Sequence, residues 1–77
     1  MNPNKAAAAD AKNATWLSAA KAQGYVVSTT VSHHRSGLFR VTAVATREHD
    51  AGYVGRYLAS FRTAAQAAAY GREMENA

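Results

Sequence analysis

Six arginines, Arg35, Arg40, Arg47, Arg56, Arg62 and Arg72, hold all the strong positive charge from residue 35 onward, whereas the lysines Lys5, Lys12 and Lys21 fall before it. A planar guanidinium offers paired donors that match phosphate oxygens and guanine edges better than the point charge of lysine does. Nine Lys and Arg against five Asp and Glu leave a net charge of +4 on 77 residues, the electrostatic footprint of a polyanion binder. The chemistry these residues suggest is recognition of nucleic acid without turnover.

The other reactive side chains point to no catalyst. His33, His34 and His49 lie in two turn-like stretches, and adjacent histidines on a turn do not converge on one metal, so no metal ligands and no cofactor are expected. Asp10, Glu48, Asp50, Glu73 and Glu75 form no acid–base pair; Glu48 and Asp50 flank His49 in "REHDAG", where a flexible turn cannot hold catalytic geometry. Gly52 and Gly55 are followed by a strand-like run rather than a helix, unlike a phosphate-cradling loop. The absence of cysteine excludes disulfides and thiolate chemistry. No apolar run approaches the ~20 residues that cross a bilayer, and "MNPNKAAAADAKNATW" lacks the apolar core of a signal peptide. A non-enzymatic, cytoplasmic protein with no membrane partner is the expectation.

The elements that must position these arginines can be read from periodicity. Residues 1–9 are polar and then all alanine, with no bulky anchor, and are expected to form a frayed tail to a single domain over residues 10–77. Ala9, Asn13, Trp16, Leu17 and Ala20 share a helical stripe, and Gly24 stands where a left-handed cap ends a helix, so a helix is expected from about Asp10 to Gln23. "YVVSTTVS", "LFRVTAVATRE" and "YVGRYLASF" alternate as strands, separated by the polar turns "HHRSG" and "EHDAG". Thr63 followed by Gln66 is a capping box, opening a second helix whose stripe Ala64, Ala67, Ala68, Gly71 and Met74 is small enough to lie close to a sheet. The fold class is α+β: an αβββα chain with a three-stranded antiparallel meander packed on the C-terminal helix.

Strict alternation sets the faces. Phe39, Val41, Tyr53, Tyr57, Ala59 and Phe61 are expected inside, and Arg40, Arg56, Thr42, Val44, Thr46, Leu58 and Ser60 outside, on a sheet face that no helix covers. Arg40 and Arg56 would then sit on adjacent strands of one open face, interleaved with hydroxyls that can contact phosphates or base edges.

The run from strand to helix in "LASFRTAAQAAAYGREME", with Phe61, Thr63 and Ala67 at the matching places, resembles the N-terminal arm-site-binding domains of phage-type tyrosine recombinases and the related AP2-like modules. That resemblance implies an open sheet face lying in a DNA major groove, with Arg40 and Arg56 at positions of DNA contact. It spans roughly residues 36–75 and leaves out the first helix. With that helix included, the order of elements also resembles the double-stranded RNA-binding domain. The lysine cluster that opens the last helix of that family is replaced here by Thr63-Ala64-Ala65-Gln66.

The expected site therefore comprises Arg40, Arg56 and Arg62 as principal contacts, Thr42 and Thr46 in support, and Arg35 and Arg47 on flanking phosphates, with double-stranded DNA favoured over RNA. The alternative is a small protein-interaction module, an inhibitor or accessory factor of a phage or plasmid type, docking through Val44 and Leu58 beside the arginines.

Overall fold

Gly24 adopts φ +88, a left-handed conformation that glycine enters without penalty, and this turns the chain out of its first helix into the sheet. The computed structural model describes residues 3–76. Five elements follow in order: α1 (Pro3–Ala22), β1 (Val26–His33), β2 (Phe39–Thr46), β3 (Val54–Phe61) and α2 (Ala64–Glu75). The αβββα order and the antiparallel sheet β1-β2-β3 are those expected from the sequence.

The first helix is longer than expected. It starts at Pro3, a residue suited to the first helical turn, and extends through the alanine run into the anchored part of the helix. Met1 and Asn2 of the expected tail lie outside the described residues, as do the side chains of residues 3–10, Ala9 of the expected stripe among them. Within the stripe, Asn13, Leu17 and Ala20 are buried and Trp16 is half-buried.

Both helices pack on the same face of the sheet. Leu17 from α1 meets Val41 and Ala43 from β2, Leu58 from β3, and Ala67, Tyr70 and Met74 from α2 in one core. Thr63 caps α2 as expected, its Oγ1 accepting from the Gln66 amide at 3.2 Å. Small residues then bring α2 onto β1 and β2: a Cβ built on Gly71 would lie 2.6 Å from Thr29 Oγ1. At its end, the Glu75 carboxylate accepts from the Thr29 amide at 2.6 Å and the Thr29 hydroxyl at 2.8 Å. A side-chain carboxylate thus takes the place of a neighbouring strand at the outer edge of β1. Tyr70, which lies off the small-residue stripe, is buried in the core, tilted against Phe61 at 5.0 Å.

Alternation fails at one place in β3. Phe61 and Ala59 pair with Phe39 and Val41, but the next pair is Thr42 with Tyr57, so Leu58 is an extra residue on β3. Two residues opposing one is a β-bulge, and it shifts every earlier residue of the strand to the opposite face. Leu58 enters the core at 6% exposure, while Tyr57 is half exposed on the open side. Arg56 and Val54 fall opposite Ala43 and Ala45, on the helix-covered face. The expectations that Tyr53 and Tyr57 face inward, and that Arg56 and Leu58 face outward, are corrected by this one bulge.

Candidate nucleic-acid interface

The uncovered face of the sheet is built from alternate residues of three strands. β1 contributes Ser28, Thr30 and Ser32, which pair with Val44, Thr42 and Arg40 of β2, and these in turn oppose Gly55, Tyr57 and Ser60 of β3. Thr46 continues the face beside Val26. Short hydroxyl side chains line its β1 side. Arg40 lies over the Tyr57 ring, its guanidinium carbon 4.8 Å from the centroid, and the Tyr57 hydroxyl bonds Ser60 Oγ at 2.8 Å. Stacking on the ring and the bond to Ser60 restrict both side chains, so the guanidinium is held over the sheet rather than swinging in solvent.

Arg40 is near the end of the sheet where β1 turns into β2. That turn is closed by His34 N–H donating to Leu38 O at 2.8 Å, with Gly37 at φ +91, and it exposes Arg35. Arg62 is exposed one residue beyond Phe61, which pairs with Phe39 at this same end. The fold thus gathers Arg35, Arg40 and Arg62 at one end. The described carboxylates lie elsewhere: Glu48 and Asp50 in the β2–β3 turn, Glu73 and Glu75 on α2.

Two expected contacts do not join this group. Arg47 sits at the opposite end, paired with Asp50 at 2.8 Å and stacked 4.5 Å above the Tyr25 ring, its charge locally balanced. Arg56 lies beneath α1: its Nε donates to Asn13 Oδ1 at 3.5 Å and its guanidinium stands 5.6 Å from the Trp16 ring centre. Leu58 is in the core and offers nothing to a partner, whereas Val44 remains half-buried on the open face. Thr42 and Thr46 lie on the open face as expected.

Sequence reasoning missed the tyrosines. Tyr57 reaches the open face only through the bulge, and Tyr53 lies beside it, its ring 3.6 Å from where a Gly55 Cβ would point. It also missed Asn13, whose Nδ2 donates to Leu58 O at 3.1 Å and to Tyr70 Oη at 3.0 Å, tying α1, the bulge and α2 together. A polar residue in the middle of an apolar helical stripe was the available signal, because a buried amide needs partners.

His33 stacks on Phe39 at 4.5 Å, and His34 Nδ1 lies 2.9 Å from Ser36 Oγ, so both histidines take part in shaping the turn. Among the described residues, no group of three or more His, Asp or Glu could hold a metal ion, and no helix is long and apolar enough to cross a membrane. Comparison of the chain with protein-family models, with curated proteins and with solved structures finds no match.

Proposed function

We propose that this protein is a non-catalytic nucleic-acid-binding module that lays the basic end of its open sheet face against a double-stranded backbone, DNA in preference to RNA. The reading rests on one observation above the others: Arg35, Arg40 and Arg62 are gathered at one end of an open sheet face that carries Ser28, Thr30, Ser32 and Thr42, and the described carboxylates lie away from it. Arg40, Arg35 and Arg62 take the phosphates, Thr42, Thr30 and Ser32 add hydroxyl contacts, and Tyr57 holds Arg40 in place. Arg47 and Arg56 have no part in this version of the site. Thr46 lies at the far end of the face, opposite Val26, and contributes only to a footprint that crosses the whole sheet.

A second reading is favoured by the other half of the same face. Val26 and Tyr53 are each 71% exposed, and Val44 lies between them and the basic end, an apolar patch that suits a protein partner. Leu58 no longer belongs to that reading. Amide chemical-shift mapping with a short duplex separates the two. Perturbation centred on residues 34–42 and 60–62 supports nucleic-acid binding. Saturating duplex with no perturbation there leaves the protein-docking module as the better account.

A further inference from the structure

The face that carries both helices holds a second feature, unconnected with the basic end of the open sheet. Among the described residues, Ala11, Ala19 and Ala20 of α1 line the seam beside β3, and alanine cannot fill the space between a helix and a sheet. Two hollows result, sharing Trp16 as their common wall. On one side, Trp16, Ala20, Gln23, Tyr25, Ala45 and Val54 line a mainly apolar hollow of about 200 Å³. On the other, Trp16, Thr15, Lys12 and Arg56 line a shallower hollow of about 440 Å³ with cationic walls. Both hollows are open to solvent, so the seam is a groove along the surface rather than an enclosed cavity.

The arginine at this seam is preorganised for an anion. Its Nε is engaged by Asn13 Oδ1 and its plane stands over Trp16, while its two terminal nitrogens have no carboxylate or other hydrogen-bonding partner among the described residues. Asn13 is itself fixed by Leu58 O and Tyr70 Oη, so the support behind the guanidinium is rigid. The neighbouring hollow leaves Val54 46% exposed although its side chain points to the helix-covered side of the sheet.

We infer that the α1–β3 seam is a binding site for an amphipathic monoanion, a carboxylate on an apolar chain or ring, with the headgroup on Arg56 and Lys12 and the apolar part across Trp16 against Val54 and Tyr25. The two halves of the cleft fit the two halves of such a molecule: terminal guanidinium nitrogens without an acceptor among the described residues on one side of the indole, uncovered carbon on the other. This site uses none of Arg35, Arg40 and Arg62, and stands or falls apart from nucleic-acid binding.

Trp16 is the one tryptophan of the chain and reports on the cleft directly. Its emission is followed while the full chain is titrated with decanoate, 2-naphthoate, decanol or acetate, for the wild type, Arg56→Gln and Val54→Glu, with circular dichroism checking that each variant is folded. The wild type is expected to show a saturable change with decanoate or 2-naphthoate, whichever of chain or ring the cleft prefers. Arg56→Gln should weaken that affinity roughly tenfold, the loss of one charge-assisted hydrogen bond, and leave decanol unaffected. Val54→Glu, which alters only an exposed position of the apolar half, should weaken the same ligand, and acetate alone should produce no saturable change. The inference is overturned if neither amphipathic anion gives saturation, if both folded variants bind as the wild type does, or if Trp16 emission shifts with protein concentration alone, which would mean that a second copy of the chain fills the seam.

Discussion

Arg40 on β2 and Tyr57 on β3 meet as a stacked pair, 4.8 Å from guanidinium carbon to ring centre, on the uncovered side of the sheet. They are diagonal neighbours, since Arg40 lies directly opposite Ser60 and Tyr57 directly opposite Thr42. The pair exists because Leu58 is an extra residue on β3: without the bulge, Leu58 would oppose Thr42 and lie beside Arg40, Tyr57 would point beneath the helices, and Arg56 would reach the open face opposite Val44. One inserted residue thereby exchanges an arginine for a tyrosine on the open face. It turns a face of two guanidinium groups into one of a single guanidinium held on an aromatic platform.

The bulge makes a sharp contrast between two adjacent residues. Leu58→Ala removes a core side chain and should destabilise the protein by about 2–5 kcal/mol, while Tyr57→Ala, on the solvent side, should cost less than about 1 kcal/mol. Urea unfolding of the two variants measures both, and the reverse order would mean that β3 alternates without interruption.

Asn13 is a polar side chain buried in the fold, its amide nitrogen joined to the Leu58 carbonyl and the Tyr70 hydroxyl. Asn13→Leu leaves the Tyr70 hydroxyl and the bulge carbonyl without this donor in a buried site, and should lower stability by about 1–3 kcal/mol. Tyr70→Phe removes only the hydroxyl, leaves the ring in the core, and should cost less. Because both substitutions act through one bond, their effects in denaturant melts should be less than additive in the double variant.

Gly71 is a glycine inside a helix, where alanine would ordinarily be favoured by about 1 kcal/mol. Here the added methyl would meet Thr29 Oγ1 at 2.6 Å, and that oxygen is held by Glu75. Gly71→Ala should therefore lower the melting temperature despite the better helix propensity. In a Thr29→Ala background, where the obstructing oxygen is gone, the same substitution should lose most of its penalty. Equal effects in both backgrounds would show that close packing on Thr29 is not what selects glycine.

The elements were legible in the sequence because their signals are local. Thr63 and Gln66 mark a helix start through a bond between near neighbours, Gly24 marks a helix end, and the polar turns separate three alternating runs. The length of α1 was underestimated because residues 1–9 carry no bulky side chain, and alanine reveals propensity but no partner. The candidate site was half legible. Arg40, Thr42 and Thr46 lie where periodicity predicts them, since β2 alternates without a break, and Arg35 and Arg62 lie in the turn and at the strand end where the sequence puts them. Arg56, Leu58, Tyr53 and Tyr57 do not, because a bulge is decided by what the strand must bury across a gap of many residues. Asn13 and Leu58 are 45 positions apart, and no window along the chain shows that the amide of one supports the carbonyl of the other. The pairing of Arg47 with Asp50 was not legible for a related reason: it depends on the turn closing.

The most direct measurement is fluorescence anisotropy of a labelled random-sequence DNA duplex titrated with the protein at low and near-physiological salt, for the wild type, Arg40→Ala/Arg62→Ala and Arg56→Gln. Contacts from Arg35, Arg40 and Arg62 release counterions, so the wild type is expected to bind with a log–log salt slope of roughly −2 to −3. The double variant should lose both affinity and most of that slope, and Arg56→Gln should keep them. Absence of binding by folded wild-type protein at low salt, or a greater loss in Arg56→Gln than in Arg40→Ala/Arg62→Ala, would contradict nucleic-acid binding by the basic end of the open sheet.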